Sequence, residues 1–219
     1  WASGRGRPIA GQALLSVAAL VFAAAIGLTG QIFDIAGDPQ AALRTAGIGA
    51  AILALAGRSP WAAVVALAML TIGDFLDQSI FGRDAAWAGW LTAAAPLGAA
   101  AALAWRSQAL AHAAGLAAIL VALTFDPFMR DRSEALFLAA AGLLAAAAVG
   151  ARLLRERFDA SFGPPAGVLY GWFTWGALFW FGVAGFDETL RGVAHSLAWI
   201  VLAGAAVGIG RHDRHGGVT

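Results

Sequence analysis

Hydrophobic positions in this sequence run on rather than alternate. Between short polar breaks lie eight continuous apolar stretches, at about 9–33, 40–57, 60–76, 85–105, 108–125, 134–153, 165–186 and 190–210. A hydrocarbon layer about 30 Å thick needs about 20 mostly apolar residues in a helix. Barrel strands would alternate over about 10 residues, so the pattern predicts helices. Runs 40–57, 60–76 and 108–125 are short. They span if they stand nearly upright, and otherwise re-enter the face they left. Asp38-Pro39 and Ser59-Pro60 each place a capping side chain before a proline at the first helical position. Asp84, Ser107, Ser133 and Asp187 are the expected caps of helices four, five, six and eight, and Gly163-Pro164-Pro165 is expected to open helix seven. The connections are short, which makes neighbours antiparallel hairpins. The expectation is an all-α polytopic transmembrane bundle of about eight helices, one domain over residues 1–219.

Composition narrows the class. Hydrophobic residues make up 60% and charged residues 12% of the chain, about half the roughly 25% charge usual in soluble domains. That supply cannot cover a water-facing surface, which excludes a soluble enzyme and a disordered chain. A net charge of +1 offers no field for phosphates, which excludes nucleic acid as a partner. Cys is absent, so there are no disulfides, thiolate metal sites or Cys nucleophiles. The cations are all Arg, a bias that fits genome composition better than a function.

Charge also orients the chain. The amino terminus, the even-numbered loops and the carboxyl tail carry nine Arg, against five on the other side. Positive residues stay inside, so both termini are expected in the cytoplasm. Ten of the 13 acids fall on the outer side. A weak internal echo runs from Asp77, Arg83 and Trp90 to Asp187, Arg191 and Trp199. It would relate two four-helix halves in parallel, a 4+4 repeat.

The stretch from Gly27 to Pro39, Gly-Leu-Thr-Gly-Gln-Ile-Phe-Asp-Ile-Ala-Gly-Asp-Pro, resembles the signature of a family of bacterial predicted membrane proteins, domain of unknown function 2157. There a helix ends in a Gly-Gln-Ile-aromatic run before a Gly-Asp-Pro turn. The resemblance implies a polytopic protein of a bacterial cytoplasmic membrane and brings no activity or cofactor. Family members usually carry helices before this motif, whereas this chain opens at Trp1. It is therefore expected to lack upstream helices of a longer chain.

Several polar groups interrupt the apolar runs. Gly27, Gly30, Gln31 and Asp34 share one face of helix one, either as a close packing surface or as a polar site at the outer end. Asp34, Asp74, Asp77 and Asp126 are expected near the carboxyl ends of odd-numbered helices, where the macrodipole disfavours a carboxylate. Arg44, Arg83 and Arg191 follow such ends, and His195 lies one turn from Arg191. These residues are the candidate outer-face site. The plain alternative is solvated loop acids with local ion pairs. Arg44 is expected to pair with Asp34 across the first hairpin rather than face lipid. His112 and His195 read as hydrogen-bonded structural residues.

Aromatic side chains surround helix seven. Trp172, Trp175 and Trp180 are the candidate contacts with lipid or a partner, because Trp is enriched at binding hot spots. No P-loop, dinucleotide fingerprint, HExxH or nucleophile elbow is present. The expected function is therefore non-catalytic, without metal or cofactor: an accessory, assembly or scaffold component. Its expected partners are membrane lipids and another membrane protein or a second copy. The alternative is a small-solute or ion transporter or channel with an acidic and Arg-lined outer vestibule.

Overall fold

The computed structural model describes the backbone of residues 8–32, 39–80, 89–124, 134–185 and 191–215. The side chains at 8, 30–32, 76–80, 124, 134, 159–161, 191 and 212–215 fall outside the description. Eight α-helices occupy the described residues: α1 (Pro8–Ile32), α2 (Pro39–Gly57), α3 (Pro60–Ile80), α4 (Leu91–Ala104), α5 (Gln108–Val121), α6 (Glu134–Arg157), α7 (Asp159–Ala184) and α8 (Arg191–His215). A 3-10 turn, Ala122–Thr124, extends α5. The chain is an all-α membrane protein. Five of its helices are long and apolar enough to cross a bilayer, namely α1, α2, α6, α7 and α8.

Two hairpins are built in the same way. Ala-Leu-Ala, one spacer, then Arg-Ser occurs at residues 54–59 and again at 102–107. In both, the Arg takes a left-handed backbone, φ 45° at Arg58 and 53° at Arg106. The Ser N–H then reaches back to the carbonyl of Ala54 or Ala102 at 2.9 Å, the closing bond of a Schellman end. The Ser hydroxyl starts the next helix, accepting from Ala62 at 3.4 Å and Leu110 at 3.3 Å. Helix end and helix start are thus fused into one corner, and α2–α3 and α4–α5 fold back on themselves. The residues of the expected 4+4 echo lie largely outside the described set; the repetition the described residues contain is this shorter hairpin unit.

Two helix starts differ from expectation. α4 begins at Leu91, not at 85, and its N-cap residue Trp90 supplies no side-chain bond. Asp84 lies outside the described residues and is not the cap of this start. α7 begins at Asp159, because Phe158 alone makes the corner from α6 and the Phe162 N–H bonds the Phe158 carbonyl at 2.8 Å. Pro164 and Pro165 fall inside the helix instead of opening it, each withdrawing one N–H from the ladder.

α3, α4, α5 and α7 form the centre, with α6 laid along α7 and α2 along α3. The core is small-residue packing around a few large side chains: Leu67, Leu91, Leu110, Leu169, Phe173 and Trp180, set among Ala95, Ala102, Ala111, Ala114 and Ala117. In a lipid environment helices do not associate by the hydrophobic effect, so close backbone approach and dispersion must hold them. Alanine supplies that approach. α1 packs on α2 and α3, and α8 packs on α7. These outer helices are scarcely enclosed, and no residue of the Gly192–Arg211 span is buried.

Candidate functional site

The polar centre of the described bundle lies between α2, α3 and the start of α4. Gln40 and Arg44 stand one turn apart on the α2 face that meets α3, and Gln40 is buried. Opposite them, Gly73 admits α2 so closely that an added Cβ would meet Arg44 Cγ and the Gln40 carbonyl at 3.3 Å. The next residue, Asp74, is 1% exposed. Its Oδ1 accepts from Arg44 Nε at 2.9 Å, and its Oδ2 accepts from the Leu91 N–H at 2.8 Å. The Arg44 side chain keeps 22% exposure.

Asp74 thereby caps a helix to which it does not belong. Leu91 is the first residue of α4, where N–H groups lack intrahelical partners and the macrodipole is positive. The sequence expectation treated Asp74 as a carboxylate at the unfavourable carboxyl end of its own helix. In fact α3 continues to Ile80, and the nearest helix end is the favourable one of α4. Gly89 completes the arrangement, because a Cβ there would run into the Asp74 carboxylate. The partner described for Arg44 is Asp74; the expected partner, Asp34, lies outside the described residues.

Of the candidate outer-face residues, the structure brings Arg44 and Asp74 together. His195 stands elsewhere, on α8 against α7. Its Nε2 lies 2.6 Å from the Phe181 carbonyl and its ring stacks on Phe181 at 4.3 Å. A carbonyl only accepts, so Nε2 carries the proton. Trp199, one turn along, donates to the Leu178 carbonyl at 2.8 Å. Gly182 and Gly185 are the notches that admit these two rings. Asp77 lies within α3 and Arg191 opens α8, with side chains outside the described set. Gln31 lies in the last turn of α1, likewise without a described side chain, and Arg83 and Asp126 lie outside the described residues altogether.

The three candidate contact tryptophans separate. Trp175 is 64% exposed. Trp172 is half-buried and donates to His112 Nδ1 at 2.9 Å. Trp180 is 2% exposed, stacked on Phe137 at 5.6 Å and donating to the Ile119 carbonyl at 3.1 Å. It is a core residue filling the space between α5 and α6, so the expectation of a lipid or partner contact at Trp180 is corrected.

Residues 1–63 match the family of predicted membrane proteins, domain of unknown function 2157. The match reaches from α1 through the α2–α3 corner, so it includes Arg44 but neither Asp74 nor Leu91. No curated protein and no solved structure matches the chain.

Sequence reasoning missed three features. The Asp74–Leu91 bond needed the true start of α4, for which Gly89 before Trp90 was the available signal. The Trp172–His112 pair joins positions far apart in the chain and left no local trace. Thr92 and Thr174 carry buried hydroxyls without a hydrogen-bond partner, which no pattern marks. Among the described residues, no group of three His, Cys, Asp or Glu is placed to hold a metal ion.

Proposed function

We propose that this protein works without turnover, as an accessory or scaffold component of a bacterial cytoplasmic membrane, with both termini inside. The observation that carries the reading is the closure of the Arg44–Asp74 pair. Both carboxylate oxygens of Asp74 are engaged, one by a guanidinium and one by a helix N-terminus. An arrangement so saturated holds helices together and leaves the carboxylate little capacity to receive a solute. The largely unburied α1 and α8, with the exposed Trp175, supply apolar surface for another membrane component.

The transporter or channel reading draws on the same pair, since ionisable groups among membrane helices commonly mark solute paths. Reconstitution separates the two. Purified protein in liposomes is expected to pass neither potassium, protons nor small osmolytes above the rate of empty vesicles. Trp175→Leu is expected to weaken cross-linking to a neighbouring membrane protein without changing the melting temperature. Flux that disappears in Asp74→Asn and persists in Trp175→Leu would overturn the scaffold reading.

A further inference from the structure

The helices of this bundle do not share one length. α1 carries an apolar stretch of 21 residues, Ile9–Thr29, and α8 one of 20, Gly192–Arg211. At 1.5 Å per residue each is about 30 Å long, the thickness of a hydrocarbon core. α4 has 14 residues, Leu91–Ala104, and is about 21 Å long. Polar structure fixes both of its ends. At the start, the Leu91 N–H is held by the Asp74 carboxylate, itself paired with Arg44. At the finish, the chain turns through the left-handed Arg106 into Ser107. Trp90 and Trp105 are the two cap residues of the helix, and tryptophan favours the two faces of a membrane.

Two neighbouring helices repeat the measure. Asp74 stands 14 residues after Pro60, the start of α3, and Arg44 stands 13 residues before Gly57, the end of α2. The layer of Arg44, Asp74 and Leu91 is therefore about 20 Å from the Arg58 and Arg106 corners along each of the three helices. Between these two levels the helices turn exposed apolar side chains outward: Ile48, Ile52 and Leu55 on α2, Ile72 on α3 and Leu97 on α4.

We propose that the α2–α4 side of this protein thins the bilayer it meets. It takes phospholipid compressed to about 20 Å of hydrocarbon, while the α1 and α8 sides take it at about 30 Å. Tilting α4 would shorten its reach further, so tilt does not make up the difference. A core left at full thickness would bring acyl chains against the non-helical backbone before Leu91, where Trp90 is exposed, and lipid-facing irregular backbone does not occur in hydrocarbon. The fitting partner is a phospholipid of short acyl chains, chosen by length and not by headgroup. The inference is independent of whether the protein acts as a scaffold or as a carrier.

Spin-label depth measurements on the purified full chain in liposomes test the assignment. The chain has no Cys, so a single label can be placed at Leu97→Cys, midway along α4, or at Leu20→Cys, midway along the apolar stretch of α1. Both positions are exposed, and thermal melting confirms that each variant is folded. Depth is read from collisions with oxygen, which dissolves in lipid, against collisions with a water-soluble nickel chelate. In dioleoylphosphatidylcholine the Leu97 label is expected about 5 Å shallower than the Leu20 label, half the difference in helix length. In the shorter-chained dimyristoleoylphosphatidylcholine the gap is expected to close: the Leu20 label becomes shallower while the Leu97 label keeps its depth. Equal depths in the dioleoyl lipid would overturn the proposal, as would a Leu97 label that grows shallower in step with Leu20. A Leu97 label without the oxygen collisions seen at Leu20 would also overturn it, because water or a second copy of the chain, and not lipid, would then cover α4.

Discussion

Asp74 is the residue on which most of the described polar structure turns. A carboxylate 1% exposed is tolerated only when its charge and lone pairs are matched. Removing one member of a buried pair strands the other and costs about 3–5 kcal/mol. Arg44→Ala is therefore expected to lower the melting temperature sharply, and Asp74→Asn in the same chain to restore part of the loss; strictly additive losses would mean the two residues do not cooperate. Gly89→Ala is expected to cost roughly 1–3 kcal/mol by forcing the carboxylate off Leu91. The tryptophans of α7 give a second contrast. Trp180→Leu opens the core and is expected to cost about 3 kcal/mol, whereas Trp175→Leu should change stability by no more than about 0.5 kcal/mol; parallel melts of the two variants check this. That Arg44 faces a neighbour rather than lipid was legible from its position in an apolar helix. Which acid it meets was not, because periodicity assigns a face and says nothing about the helix opposite. For the same reason helix seven, aromatic all round, disclosed no difference between Trp175 and Trp180.

At the scale of elements, the paired corners are the informative unit. Ser59 and Ser107 accept from the first turns of α3 and α5, so Ser→Ala at either site is expected to cost about 1 kcal/mol. Arg58 and Arg106 hold a left-handed backbone that an L side chain resists by about 1 kcal/mol. Arg58→Gly is thus expected to raise thermal stability or leave it level in a thermal melt, and a loss above about 1 kcal/mol would show that the Arg58 side chain itself supports the corner. These corners were legible, because Ser-Pro and Ser before an apolar run are local signals. The starts of α4 and α7 were not. One is capped from another helix, and the other turns on a phenylalanine with no capping signature, so the chemistry that fixes each start is not contained in its own segment.

At the scale of the molecule, the long apolar runs made a helical membrane bundle legible at once, since of the two structures that satisfy the backbone in hydrocarbon, helices and closed barrels, only helices are built from continuous apolar runs of this length. The layering of the bundle was not legible, because runs of similar hydropathy supply both the centre and the margin: α5 is enclosed and α8 is not. The expected topology has a direct check in a chain without Cys. Phe158→Cys is expected to resist a membrane-impermeant thiol reagent in intact cells while Ile80→Cys reacts, and the reverse labelling would invert the model.

The attachment of α8 has a mechanical consequence. Its described junction with α7 is narrow, and at its heart are two rings seated over Gly182 and Gly185, each bonded to a main-chain carbonyl. Such bonds are short-ranged, so they yield within a small displacement, whereas the long α6–α7 junction resists along its whole length. A single molecule pulled from its carboxyl end out of a bilayer should release α8 first, in one step at low force, with the remaining helices holding. His195→Ala combined with Trp199→Phe should erase that first step from the force trace and leave the later ones in place.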